Sequence, residues 1–126
     1  MDSLMTIRRI DAELIQKKLV RGERITFVDV GQMEQFHKAH IAKAVNVPLE
    51  KIPQWAKTFL GNEALQVVVY GQSDQDPRGR LAAAMMARAG FTNVSLLDGG
   101  LDLWMKLTLP SEGPLSMPGF RDRASA

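Results

Sequence analysis

Reactive side chains gather in the eight residues Gly71-Gln72-Ser73-Asp74-Gln75-Asp76-Pro77-Arg78, between an apolar run and a helix-forming stretch. A loop entering a helix presents backbone N–H groups and the positive end of the helix dipole, the parts from which an anion cradle is built. Arg78 closes the stretch as its one cation. Asp74 and Asp76 work against such a cradle, because two carboxylates repel an incoming anion. Asp76 followed by Pro77 is also a helix-start signal, with an acceptor at the N-cap and proline at the first helical position. As a cap, Asp76 would take amides that an external anion needs. Ser73 is the loop's hydroxyl, but no base accompanies it to generate an alkoxide. Asp29 ends the run Ile25-Thr26-Phe27-Val28-Asp29-Val30. Open α/β folds keep their sites at the C-terminal edge of the sheet. There Asp29 reads as a group that orients the loop by hydrogen bonds rather than as a base.

The 126 residues contain no cysteine. Disulfides, thiolate metal sites and thiol nucleophiles are therefore excluded from within this sequence. His37 and His40 make an H-x-x-H pair, yet no third ligand accompanies them, so they read as structural or exposed histidines. No metal and no cofactor is expected.

The elements that position these residues follow from apolar spacing. A first helix starts at the N-cap Asp11, buries Ile15 and Leu19 at i, i+4, and stops near Gly22. Ile25 to Val30 is a strand ended by Gly31, followed by a short helix over Met33 to His37. Ala44 to Val47 is a second strand, closed by Pro48. Ile52, Trp55, Ala56, Phe59 and Leu60 mark an amphipathic helix before Gly61. The unbroken run Val67 to Tyr70 is a strand covered on both faces. A helix then runs from Arg78 to Ala89, Val94 to Leu97 is the last strand, and Leu101, Trp104 and Met105 mark a short final helix. Trp55, Trp104 and one of Met85 and Met86 are expected in the core. Strands alternating with helices imply right-handed crossovers and a mostly parallel sheet.

Composition is that of an ordinary globular domain, 45% hydrophobic and 24% charged. The net charge of +2 and the pI near 9.2 are mildly basic. The densest basic stretch, Lys17, Lys18, Arg21 and Arg24, reads as a solvated helix face. No aromatic-studded basic patch accompanies it, so no nucleic-acid partner is expected. Nor is a membrane span or a signal sequence apparent, and a cytoplasmic location is the default. Residues 111–126 are rich in Pro, Gly and Ser and are expected to form a flexible tail or linker, in which Phe120, Arg121 and Arg123 stand out.

Three stretches, in order and at matching spacing, resemble the rhodanese-homology family. Val28-Asp29-Val30, Glu34-Gln35-Phe36 and Ala39-His40-Ile41-Ala42-Lys43-Ala44-Val45-Asn46-Val47-Pro48 are similar to its first half. Val67 to Tyr70, the loop, and the helix ending in Arg88-Ala89-Gly90-Phe91 are similar to its site. Leu97-Asp98-Gly99-Gly100-Leu101-Asp102-Leu103-Trp104 is similar to its close. The resemblance spans Ile7 to Pro110 and implies one domain over 1–110. The fold it implies is α/β and three-layered, a mostly parallel sheet of about five strands with helices on both faces.

In active members the residue after the Val-Val-Tyr strand is a cysteine, whose thiolate takes sulfane sulfur from a donor such as thiosulfate. Here that position is Gly71, so the resemblance is to an inactive member, and Gly71 reads as a natural loss. The family often has arginine after its Asp-Val pair, where this chain has Gly31. The resemblance implies Arg78 as the family's loop arginine, with Arg80 as the alternative; Arg78 comes later than in short-loop members, seven positions after Gly71. The resulting expectation is a non-catalytic interaction or regulatory module with a protein partner at the loop. Its ligand-contacting residues would be Gly71, Gln72, Ser73, Asp74, Gln75, Asp76, Arg78 and Asp29. The alternatives are a small-anion sensor, or a sulfurtransferase-family protein whose nucleophile is missing from this chain.

Overall fold

A computed structural model describes residues 7–61 and 65–115. Phe120, Arg121, Arg123 and the rest of 116–126 lie outside the described residues. Within them, the elements alternate as the apolar spacing requires. They are β1 (Arg9–Ile10), α1 (Ala12–Val20), β2 (Thr26–Asp29), α2 (Met33–Lys38), β3 (His40–Ile41), β4 (Val45–Asn46), α3 (Ile52–Leu60), β5 (Val67–Tyr70), α4 (Pro77–Arg88), β6 (Val94–Leu97), α5 (Gly100–Lys106) and β7 (Ser111–Glu112).

Five strands form one sheet in the order β1-β6-β5-β2-β4, and every pairing in it is parallel. β5 is central and apolar on both faces, so its side chains divide by parity. Val67 and Val69 join Val28, Ala82, Ala83 and Met86 in the core under α3 and α4. Val68 and Tyr70 join Ile15, Phe27, Leu97, Leu101 and Trp104 under α1 and α5. Trp104 packs edge-on against Phe27, with centroids 5.5 Å apart. Its indole Nε1 donates to the Pro110 carbonyl at 2.8 Å, which satisfies the polar end of a buried ring. The parallel sheet and its two helical layers agree with the expected α/β architecture.

Three expectations need correction. Leu19 is 39% exposed and not a core residue; α1 buries only Ala12 and Ile15, in its first half, and ends one residue after Leu19. Phe59 is 52% exposed. It lies against half-buried Trp55 at 5.3 Å, so the apolar stripe of α3 is wider than the surface it covers. A second, antiparallel sheet pairs β3 with β7, so Ser111 and Glu112, placed by composition in the tail, form a strand. The chain is carried past Pro110 to that pairing by the Ala42 N–H, which donates to the Pro110 carbonyl at 3.1 Å. Among the described residues, no helix is long and apolar enough to cross a membrane.

Candidate functional site

β2 and β5 are adjacent and in register, with Asp29 opposite Tyr70, so both strands deliver their last residues to one point. Gly71 follows β5 directly, and α4 begins six residues later with Asp76 as its N-cap. The loop between them is closed from the other side by α5. Leu101 N–H donates to the Gly71 carbonyl at 3.0 Å, and Asp102 N–H donates to the Gln72 carbonyl at 2.9 Å. Gly100 makes that approach possible. A Cβ there would lie 2.7 Å from both the Gly71 carbonyl oxygen and the Ser73 nitrogen, and its φ of +61° is left-handed.

The centre of the loop is held by the Asp76 carboxylate. It accepts from Gln72 N–H at 2.9 Å and from Arg78 N–H at 3.1 Å. The Arg78 guanidinium grips the same group, with Nε 3.0 Å from Oδ1 and 3.2 Å from Oδ2, and Nη2 2.8 Å from Oδ2. A planar fork on a carboxylate is the strongest ordinary form of such a contact. The hydrogen bonds from the Arg78 side chain, helped by the two backbone amides and opposed by burial, hold the Asp76 pKa at about 2. Asp76 is therefore ionised at neutral pH, and its side chain is only 10% exposed.

This carboxylate stands in front of Gly71. A Cβ at Gly71 would meet Asp76 Oδ2 at 2.8 Å and Cγ at 3.0 Å. The φ of Gly71 is not left-handed, so the obstacle to a side chain there is space and not backbone strain. Gly79, one turn into α4, also allows the close approach of helix to loop. A Cβ on it would lie 3.2 Å from the Gly71 nitrogen and 2.8 Å from Leu96.

The remaining loop residues turn outward. Asp74 caps the Gly99 N–H at 2.7 Å and accepts from Arg9 at 3.1 Å, while Arg9 also holds Asp98 at 2.6 Å. Gln72 is exposed and donates to Asp102 at 2.6 Å. Ser73 Oγ accepts from Gln75 N–H at 3.2 Å, an internal turn contact with no base beside it. Gln75 is exposed. The space left is small: a cavity of about 40 Å³ bounded by Arg9, Gly71, Ser73, Asp74, Asp76 and Arg80, enough for about two or three waters.

Asp29 lies beneath the loop, 7% exposed. Its Oδ1 accepts from Gly31 N–H at 2.9 Å, and burial raises its pKa against that hydrogen bond and the facing Tyr70 hydroxyl. Burial pushes the Tyr70 hydroxyl well above the ordinary tyrosine range, and its oxygen accepts from Ile41 N–H at 3.0 Å. The Asp29 backbone carbonyl accepts from Val47 N–H at 2.9 Å and from Asn46 Nδ2 at 3.0 Å. Asp29 thus ties β2, β4 and the turn at Gly31 together.

His40 stacks on Phe36 at 3.8 Å, with one ring nitrogen 2.7 Å from the Phe36 carbonyl and the other 3.0 Å from Glu112. Both its nitrogens are engaged in the β3–β7 corner. Among the described residues, no cluster of His, Cys, Asp and Glu could hold a metal.

The eight residues expected at the site are therefore brought to one end of the sheet, but in different roles. Asp76 and Arg78 pair with each other, and Arg80 lines the cavity without joining that pair. Sequence reasoning missed Arg9, Asp98, Gly79, Gly100 and Asp102. Glycines flanking a loop are a weak hint of close backbone approach; an ion pair 89 residues apart, as between Arg9 and Asp98, leaves none.

Residues 11–107 match the rhodanese-like domain family. The chain belongs to that family. The thiosulfate sulfurtransferase GlpE of Pseudomonas savastanoi is 32% identical over 106 residues, covering 83% of this chain and 92% of that one. The putative sulfur carrier protein YrkF of Bacillus subtilis is 25% identical, and the match spans only 54% of its length. Among solved structures, the BH2092 protein of Bacillus halodurans superposes with a TM-score of 0.77 at 28% identity, covering 86% of this chain and 79% of that one. The rhodanese-like domain of the Anabaena Alr3790 protein gives 0.76 at 30%, covering 87% and 82%. This rhodanese-like domain thus has relatives named as sulfurtransferases while holding glycine where the resemblance places the cysteine.

Proposed function

We propose that this rhodanese-like domain is catalytically inactive and serves as a protein-interaction or regulatory module, presenting the Gly71 to Arg78 loop to a protein partner. The observation that carries the reading is the seat of the Asp76 carboxylate, 2.8 Å from where a Gly71 side chain would begin. The amides and guanidinium that would stabilise an anionic sulfur are already spent on an internal anion. What the loop offers outward is Gln72, Asp74 and Gln75, three exposed polar side chains on a backbone fixed from both sides. A pre-ordered loop of this kind loses little entropy on docking.

The names of its relatives favour a second reading, in which the domain stays within sulfur transfer and borrows a cysteine from a partner. Asp76 stands against it, because a visiting thiolate or persulfide would meet an ionised carboxylate. Small-anion sensing meets the same objection.

A Gln72→Lys/Gln75→Lys variant tests the module. Both side chains are exposed, so its melting temperature should stay within about 2 °C of the parent. Quantitative affinity capture from the source cells should recover a defined set of proteins with the parent and lose that set with the variant. Substitutions at Lys57 and Thr58 on α3 serve as the control and should leave the set unchanged. The same proteins captured equally by parent and loop variant would contradict the reading.

A further inference from the structure

After α5 the chain is laid as a strap across the corner between α2 and β3. The Pro110 carbonyl accepts from Ala42 N–H at 3.1 Å, β7 pairs with β3, and Leu115 N–H donates to the Lys38 carbonyl at 2.8 Å. The seat has features that oppose it. Ser111 is buried, and its Oγ has no hydrogen-bond partner among the described residues. Lys43 takes a left-handed φ of +68°, which a side chain disfavours. Such features persist only where surrounding contacts hold them.

Those contacts converge on one carboxylate. Glu112 Oε1 accepts from Lys43 N–H at 3.3 Å and lies 3.0 Å from His40 Nε2. The other ring nitrogen, Nδ1, lies 2.7 Å from the Phe36 carbonyl. A carbonyl and an ionised carboxylate can only accept, so both contacts are hydrogen bonds only when the ring carries two protons. The neutral ring donates to one and turns a lone pair toward the other. Histidine is the side chain that makes this change between pH 5 and pH 8. Around the pair, Asp29 of β2 and Tyr70 of β5 lie within electrostatic reach, and His37 of α2 packs edge-on against Phe36. Lys38 and Lys43 bracket β3 in the chain, and α5 meets it through apolar Leu101 and Trp104.

β3 links this strap to the loop. Ile41 N–H donates to the Tyr70 hydroxyl at 3.0 Å, and that hydroxyl bonds to the Asp29 carboxylate, whose Oδ1 accepts from Gly31 N–H at 2.9 Å. Gly31 underlies the Arg78 fork: a Cβ on it would lie 3.7 Å from Arg78 Nη1. The charge on His40 also favours the ionised form of Asp29, so its loss weakens the same floor. We infer that Pro110 to Leu115 is a proton-fastened strap, closed on β3 while His40 is an imidazolium and loosened once the ring is neutral. Its closure sets the order of the Gly71 to Arg78 loop through Ile41, Tyr70 and Asp29. The inference concerns the order of the loop and stands apart from what the loop docks.

The test is amide solvent exchange of the isotope-labelled chain at pH 6 and pH 8, read as protection factors corrected for intrinsic rates. Protection of Ala42 and Leu115 should fall about tenfold at pH 8, and that of Gly31 and Gln72 about threefold. Both changes should follow the loss of the second proton, read from the His40 ring nitrogens. Glu112→Ala alters a half-exposed side chain, so it should fold, and it should show the low values at both pH values. Tyr70→Phe should keep the pH response of Ala42 and Leu115 while Gly31 and Gln72 lose theirs. Equal protection of the parent at pH 6 and pH 8 would overturn the inference, as would a pH response that survives in Glu112→Ala. So would a parent strap that loosens while Gly31 and Gln72 stay fully protected.

Discussion

Gly71→Cys should not transfer sulfur. In a thiosulfate-to-cyanide assay, the variant's rate is expected to match the parent's at every thiosulfate concentration, and its stability should fall by about 1–3 kcal/mol. Both effects come from Asp76. The new Cβ would start 2.8 Å from Oδ2, and five hydrogen bonds from Gln72 and Arg78 resist moving that carboxylate. Where the cysteine does fit, its sulfur lies against a fixed negative charge, which disfavours the thiolate and repels a dianionic donor. Gly71→Cys/Asp76→Ser keeps a cap on α4 while removing bulk and charge. It should stay less stable than the parent, because Arg78 loses its carboxylate partner, yet show measurable transfer. Robust transfer by the single variant would mean that Asp76 is easily displaced.

Asp76→Ala should be the most destabilising change in the loop, by about 3 kcal/mol, or roughly 10 °C in melting temperature. It removes the N-cap of α4 and leaves the half-buried Arg78 guanidinium without its partner. The pH dependence carries a sign. The folded-state pKa of Asp76 is depressed from 3.8 to about 2, so its contribution is fully present above pH 4 and is lost as the pH falls toward 2. A shift of that size corresponds to about 2 kcal/mol. Asp76→Asn cannot titrate there. The stability gap between parent and Asp76→Asn, measured by urea unfolding from pH 6 to pH 3, should therefore narrow on acidification. A gap independent of pH would show that the carboxylate's charge does not hold the loop.

The α/β architecture was legible because β5 is apolar on both faces and α4 opens with Asp76-Pro77, signals that are local and strong. β1, β3 and β7 were not, since each is two residues long and exists only through its pairing. Leu19 and Phe59 were misread because helical periodicity gives the direction of a stripe but not the width of the surface that covers it. The candidate site was legible as residues and not as geometry. Asp76 announced itself as a cap through its neighbour Pro77. That the same carboxylate reaches back to the Gln72 amide, and receives Arg78 in a fork, is set by the folded loop. Nothing in the spacing of the loop encodes that contact.

The most direct test of an internally occupied cradle is thermal unfolding of the unmodified domain in thiosulfate, sulfate, phosphate and selenate at constant ionic strength. A ligand at a hundred times its dissociation constant would add about 2.7 kcal/mol, a shift of several degrees. With Asp76 in place, the expected result is no selective shift with any of the four. A saturable shift with one anion, abolished in Arg78→Ala, would contradict the account by showing that the cradle still binds.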